Sequence, residues 1–220
     1  MINSFFVSNI EMGVHLEPVV RLKKNKVFGY EVLSRAKLKG AYDYELIFSS
    51  LTVKEQIILL EKQLDILFFL HGKSCPQKNE LYYFINITRG LLSRDVISLL
   101  YRFSRYFNIA LELDESEGDN FSPTELELLS YCKRCGMTIW LDDCNGTSEL
   151  HSIWDGVKLD KQAFWSFFEE SPSHFEKWLV SSLGRMLIVE GVAEQAHLDW
   201  LSRYPIFLGQ GYYWPGRTLT

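Results

Sequence analysis

The side chains of this 220-residue chain that could do chemistry together are acids placed at the ends of apolar runs. Most telling is the adjacent pair Asp142-Asp143, which closes the run Met137-Thr138-Ile139-Trp140-Leu141. Two carboxylates that follow a buried strand repel each other and resist desolvation, so they call for a metal ion, a basic partner or solvent. The same arrangement recurs. Glu31 lies in the run 27–33, Asn86 in 81–87, Glu112 in 109–113 and Lys158 in 156–159, while Glu190 follows 186–189 and Gln210 follows 205–208. The carboxylates of Glu31, Glu112, Asp142, Asp143 and Glu190, with the Asn86 amide, form an all-oxygen set that suits Mg2+ or Mn2+ and is poor for thiolate or imidazole metals. A lone ammonium, Lys158, cannot balance these acids, which leaves room for two ions; a lysine beside bound water can orient a nucleophile, or deprotonate it where its own pKa is lowered. Such a set reads as a two-metal hydrolytic site in which one carboxylate bridges both ions, and phosphodiester hydrolysis is its natural chemistry.

Those residues need a scaffold that brings strand ends together. Short apolar runs at 16–22, 27–33, 81–87, 109–113, 137–141, 156–159, 186–189 and 205–208 read as eight strands. Segments 53–70, 93–106, 123–135, 162–183 and 194–204 repeat apolar residues at three- and four-residue steps and read as helices. Several strands lack polar alternation, as strands covered by helices do, so the alternation predicts a single α/β domain over 1–220, a (β/α)8 TIM-like barrel. Only Lys23-Lys24-Asn25-Lys26 separates the first two strands, too short for a parallel crossover, so the first strand is expected to be antiparallel. Little or no closing helix is expected after the eighth strand. In such barrels active sites form at the carboxyl ends of the strands, where the polar residues above fall.

Composition narrows the partners. The chain is 47% hydrophobic and 15% aromatic with a net charge of -5, so a basic face for duplex nucleic acid or an anionic membrane is not expected. No basic-then-apolar leader and no run of membrane-spanning length appears, which reads as cytoplasmic. Cys75, Cys132, Cys135 and Cys144 are too few and scattered for a disulfide framework, and the five histidines share no ligand spacing. The aromatic helix segment Phe164-Trp165-Ser166-Phe167-Phe168 reads as core packing against the barrel, with a protein-binding face as the alternative.

In order along the chain, these segments resemble those of EAL domains, the cyclic-di-GMP phosphodiesterases. Glu17-Pro18-Val19-Val20 resembles their Gln-Pro-Ile-Val, and Gly29-Tyr30-Glu31-Val32-Leu33-Ser34-Arg35 resembles the signature Gly-x-Glu-Ala-Leu-x-Arg. Ile85-Asn86-Ile87-Thr88, Leu111-Glu112-Leu113-Asp114-Glu115-Ser116, Leu141-Asp142-Asp143, Val157-Lys158-Leu159-Asp160, Val189-Glu190-Gly191-Val192 and Gln210-Gly211-Tyr212 are similar to the family's later motifs. The resemblance implies two divalent ions, Mg2+ or Mn2+, and hydrolysis of cyclic-di-GMP to linear pGpG, which lowers the messenger and bears on motility and biofilm. It also implies that Glu31, Asn86, Glu112 and Asp142 hold the first ion, with Asp142 bridging to a second beside Asp143. Glu190 belongs to the metal and water network, and the implied catalytic residues are Lys158, Glu190 and Glu31. The implied ligand-binding residues are Arg35, Gln210, Glu17 and Glu115, with Glu115 anchoring the loop after strand five. A homodimer face is implied as well. Alternative readings are cyclic-di-GMP sensing without turnover, or a catalytically silent module that binds a protein such as a flagellar transcriptional regulator.

The chain departs from the family pattern at Glu17, which replaces a glutamine, at Val32 and Ala36, which replace Ala and Trp, and at Ala193, which replaces a glutamate. After Asp143 it reads Cys144-Asn145-Gly146-Thr147-Ser148-Glu149 instead of Phe-Gly-Thr-Gly-Tyr-Ser-Ser, and the step to Lys158 is shorter.

Overall fold

A computed structural model describes residues 4–7, 9–36, 48, 50–72, 79–115, 120–146 and 150–219. Its strands are β1 (Ser4–Val7), β2 (Ile10–Arg21), β3 (Lys26–Ala36), β4 (Asn79–Asn86), β5 (Phe107–Asp114), β6 (Thr138–Cys144), β7 (Gly156–Leu159), β8 (Met186–Val189), β9 (Leu208–Gly209) and β10 (Arg217–Leu219). Helices in the same order are α1 (Val53–Leu67), α2 (Arg94–Phe103), α3 (Pro123–Arg134), α4 (Lys161–Glu169), α5 (Pro172–Ser181) and α6 (Gln195–Leu201). Strands β2 to β9 pair in sequence order, and β2 also pairs β9, so the sheet closes into an eight-stranded barrel. From β3 to β9 all neighbours are parallel, whereas β2 runs antiparallel to both β3 and β9. The short hairpin that forces this reversal turns at Asn25, whose φ of 45° lies in the left-handed region asparagine tolerates.

Period-two alternation along the strands builds both the barrel interior and the layer above it. Val19, Phe28, Phe84, Ala110, Trp140, Ile188 and Leu208 form an apolar cluster distinct from the outer core, contributed by seven of the eight barrel strands. Phe84, Ala110, Trp140, Ile188 and Leu208 each precede by two residues Asn86, Glu112, Asp142, Glu190 and Gln210 respectively. A residue and its second successor share one face of a strand, so the apolar layer presents the polar residues to the carboxyl-end mouth. Trp140 fills the interior because the facing residue is Gly156, where any β-carbon would collide with the indole ring.

Helices cover the outside. Two of them start with capping boxes, Thr52 with Glu55 and Ser122 with Glu125, which satisfy the first orphan amides of α1 and α3. The predicted helix 162–183 is two helices. Pro172 cannot continue α4 and instead takes a first-turn position of α5, where its missing amide costs nothing. The eightfold alternation is also incomplete, because β2 and β3 are joined by a 3-10 turn and the described part of 145–155 carries no helix. There Ile153 and Trp154 are buried in the helix's place, with Phe121 edge-on to the indole. Two further strands flank the barrel: β1 and β10 both pair antiparallel with β2, so the chain after the eighth strand returns as a strand and not a helix. The aromatic segment of α4 packs inward, with Phe164 and Phe167 buried and Phe168 edge-on to Trp200, so core packing accounts for it. Among the described residues no helix is long and apolar enough to cross a membrane.

Candidate active site

Lys158 of β7 is the centre of the barrel mouth. Its side chain is 1% exposed, and Nζ lies 2.8 Å from Asp142, 2.8 Å from Glu190, 3.1 Å from Glu112 and 3.3 Å from Glu31. Two amides complete the cluster: Asn86 Nδ2 donates to Glu31 Oε1 at 3.2 Å, and Gln210 Nε2 donates to Glu31 Oε2 at 2.5 Å. Asn86, Glu31, Glu112, Asp142, Lys158, Glu190 and Gln210, predicted from seven separate segments, thus meet in one place.

The charges are frustrated. Burial opposes ionisation of Glu31, but Lys158 and the bonds from Gln210 and Asn86 outweigh it and hold this carboxyl below the usual carboxylate range. The other acids go the opposite way. Burial raises Glu112 well above its ordinary value and raises Asp142 too, with the neighbouring acids reinforcing burial against Lys158. Glu190 is pushed up to about 8 by burial and by Asp142 and Glu31 despite Lys158. Burial would lower Lys158, yet Asp142, Glu112, Glu190 and Glu31 raise it well above the ordinary lysine value. The lowered lysine pKa that proton abstraction requires is therefore not found in the chain by itself; Lys158 is held as an ammonium donor, because four acids surround it.

Asp143 reaches the same site by a backbone irregularity. In a regular strand its side chain would point to the face opposite Asp142. The pairing of β6 with β7 instead shifts register between Leu141 and Cys144, and Asp143 has φ 51°, a left-handed value that costs a non-glycine residue energy. With that bulge, Asp142, Asp143 and Glu190 each offer an oxygen within 4.8 Å of the others, and Glu31, Glu112 and Asp142 form a second such group. Asp142 belongs to both. Partial burial and Asp142 push the Asp143 carboxyl up to about 6.

Divalent ions fit this donor set. Both oxygens of Glu112, Asp142 Oδ1 and Gln210 Oε1 are completely buried. Of these, Glu112 Oε1 and Asp142 Oδ1 face the Lys158 ammonium at 3.1 and 2.8 Å, whereas Glu112 Oε2 and Gln210 Oε1 have no hydrogen-bond partner among the described residues. Buried carboxyl and amide oxygens in that state are the ligands a hard cation takes.

The cluster opens into a cleft of about 500 Å³, whose wall includes Glu17, Arg35, Lys161, Tyr212 and Trp214. Arg35 Nη2 donates to Glu17 Oε1 at 3.2 Å, and His15 Nε2 stands 3.7 Å from the same oxygen. Burial lowers the His15 pKa despite Glu17, so near neutral pH the compensation of Glu17 falls to Arg35. The charge that Glu17 adds to the site is therefore met inside the protein. Glu115 Oε2 accepts the Asn145 amide at 3.1 Å, a bond to the chain leaving β6. Residues 147–149 of the altered loop, Cys75 and Ser116 lie outside the described residues.

His15, Lys161 and Trp214 were missed as wall residues. His15 had a signal, since it precedes Glu17 by two positions on one strand face. Trp214 had none, because its place depends on the return of β10 to β2 and on an indole bond to Asn25 Oδ1 at 2.8 Å.

This chain is similar to three proteins of known description, one in sequence and two in fold. A protein of Escherichia coli strain K12 described as a probable cyclic di-GMP phosphodiesterase, PdeB, is 25% identical over 94% of this chain. The chain spans 42% of that relative's length. BlrP1 of Klebsiella pneumoniae, solved as a manganese and cyclic-di-GMP complex, superposes with a TM-score of 0.75 at 20% identity, over 94% of this chain and 56% of the other. A standalone versatile EAL protein from Vibrio cholerae O395, bound to c-di-GMP, superposes with a TM-score of 0.71 at 20% identity, over 93% of this chain and 91% of the other. Those two likenesses establish the fold, and it is the fold built above. The sequence profile of the EAL domain matches residues 3–215, and the chain belongs to the EAL domain family.

Proposed function

We propose that this chain is a divalent-metal-dependent phosphodiesterase that hydrolyses cyclic-di-GMP to linear pGpG. The observation that carries the reading is the pair of carboxylate groups sharing Asp142, open to a cleft of small-molecule size. Glu31, Asn86, Glu112 and Asp142 would hold one Mg2+ or Mn2+, and Asp142, Asp143 and Glu190 a second. Bound there, such ions supply charge neutralisation of the phosphate and acidification of water. In the reaction a water oxygen attacks one phosphorus, the bond to the ribose 3′ oxygen breaks, and that oxygen takes up a proton, leaving a 5′ phosphate.

The chain's own groups prepare this step. Asn86 and Gln210 fix both Glu31 oxygens, so that carboxylate stays ionised in one orientation. Lys158 donates to the attacking water or a phosphate oxygen, and the apolar layer beneath it excludes bulk water from the cluster. Loss of the messenger by this route would alter motility and biofilm formation, and the reaction would take place in the cytoplasm. The test is chromatography of purified chain incubated with cyclic-di-GMP and Mg2+ or Mn2+. Formation of pGpG by the wild type and not by Glu31→Ala is expected; ligand binding without pGpG would favour a sensor, and neither would leave a protein-binding module.

A further inference from the structure

Among the described residues three cations line the cleft, and two of them already face carboxylates. Lys158 is buried among four carboxylates, and Arg35 is paired with Glu17. The third is Lys161, the first residue of α4, partly exposed on the cleft wall. Its ammonium pairs with no carboxylate among the described residues and lies 5.8 Å from the centre of the Trp165 ring. That indole is itself fixed, because its Nε1 donates to the Gly191 carbonyl at 2.9 Å. The Lys161 stem is pressed on the other side against Gly191, whose φ of 73° and lack of a side chain leave room for it; a β-carbon there would strike the Lys161 stem. Gly191 follows Glu190, so the Lys161 stem packs on the turn that carries Glu190, one of the outer group of acids.

A lysine whose stem packs on a glycine and whose ammonium lies over an indole has lost part of its rotamer freedom, which is the main entropic cost of using a lysine as a binding group. A cation–π contact orients an ammonium without consuming its three donors. In a cleft where acids outnumber bases, such a cation has one evident use. We propose that Lys161 is a ligand-binding residue that donates to a phosphate oxygen of the dinucleotide at the Glu190 side of the cleft, and that it holds the 5′ phosphate left by hydrolysis. This rests on the phosphodiesterase reading, to which it adds a binding residue and a product contact. The product's phosphomonoester carries more negative charge than the diester, so Lys161 grips pGpG harder than cyclic-di-GMP.

The test compares wild type, Lys161→Met and Lys161→Arg by titration calorimetry with cyclic-di-GMP and with pGpG in Ca2+, at low and high salt, alongside Ca2+ binding without nucleotide. Methionine keeps an unbranched stem against Gly191 and removes the charge. Expected for Lys161→Met is roughly tenfold weaker cyclic-di-GMP binding, a larger loss for pGpG and a shallower salt dependence, with Ca2+ binding unchanged and Lys161→Arg close to wild type. Wild-type nucleotide affinity in Lys161→Met overturns the inference and leaves the phosphodiesterase reading standing. A parallel loss of Ca2+ binding also overturns it, because Lys161 would then act only by packing the Glu190 turn. Absence of nucleotide binding by the wild type removes the phosphodiesterase reading and this inference with it.

Discussion

Replacing Lys158 by methionine separates its role as counter-ion from every other contribution it makes. The side chain is 1% exposed and stands within 3.3 Å of four carboxylates, so the substitution removes the central cation of the mouth while keeping most of its volume. Breaking a buried ion pair by deleting one partner costs about 3–5 kcal/mol. The lower end applies here. Glu112, Asp142 and Glu190 are already raised toward neutrality and relieve the loss by taking up protons, whereas Glu31 is held ionised and loses a partner outright. A loss of about 3 kcal/mol at neutral pH in chelator converts, at roughly 2–4 °C per kcal/mol for a chain of this size, into a melting temperature lower by roughly 6–12 °C. At pH 5 the loss shrinks, because more of the acids are protonated in wild type and variant alike. Saturating Mg2+ also shrinks it, because the ions replace the missing cation. Urea and thermal melts of both proteins, with chelator or Mg2+ at the two pH values, measure this directly. Equal destabilisation under all four conditions would refute the counter-ion reasoning, as would none under any.

Three further outcomes follow from the same geometry. Both Asp143→Gly and Asp143→Ala remove the same carboxyl, and only glycine relieves the left-handed backbone at φ 51°, so in the metal-free form Asp143→Gly is expected to be more stable than Asp143→Ala by about 1 kcal/mol; denaturant melts in chelator test that order, and both variants should lose affinity for the second ion. The raised acids of the mouth bind protons in the folded chain that the unfolded chain has released, so metal-free stability should fall as pH rises from the ordinary carboxylate range toward about 8, the value for Glu190. Melts in chelator across that window check the sign, and a rising stability would contradict it. Metal binding requires the same carboxylates ionised, so Mg2+ or Mn2+ should release protons near neutral pH and bind more tightly as pH rises. Calorimetry in two buffers of different ionisation enthalpy counts those protons.

What could be read from sequence was whatever strand periodicity controls. Trp140 and Asp142, Ala110 and Glu112, Phe84 and Asn86 lie two apart on one strand face, so an apolar layer with a polar layer above it follows from the pattern alone. The reversed first strand was legible because four residues cannot cross a barrel. Local backbone departures were not. That adjacent Asp142 and Asp143 serve one site depends on a bulge and one positive φ, which alternation argues against. The charge state of Lys158 was also out of reach, because it depends on how many carboxylates the fold brings within ion-pair range. Pro172 did carry a break signal inside the predicted helix 162–183, and the apolar spacing on either side concealed it. Strands β1 and β10 are only four and three residues long and are defined by pairing with β2, so neither shows as a periodic segment.

The proposed two-ion site shares Asp142 between its two groups of acids. Anomalous diffraction from crystals grown with Mn2+ tests it directly. Two manganese peaks are expected, one among Glu31, Glu112 and Asp142 and the other among Asp142, Asp143 and Glu190, with an Asp142 oxygen bound to each. Peaks elsewhere on the chain, or none at the mouth with Lys158 still among the four acids, would contradict it.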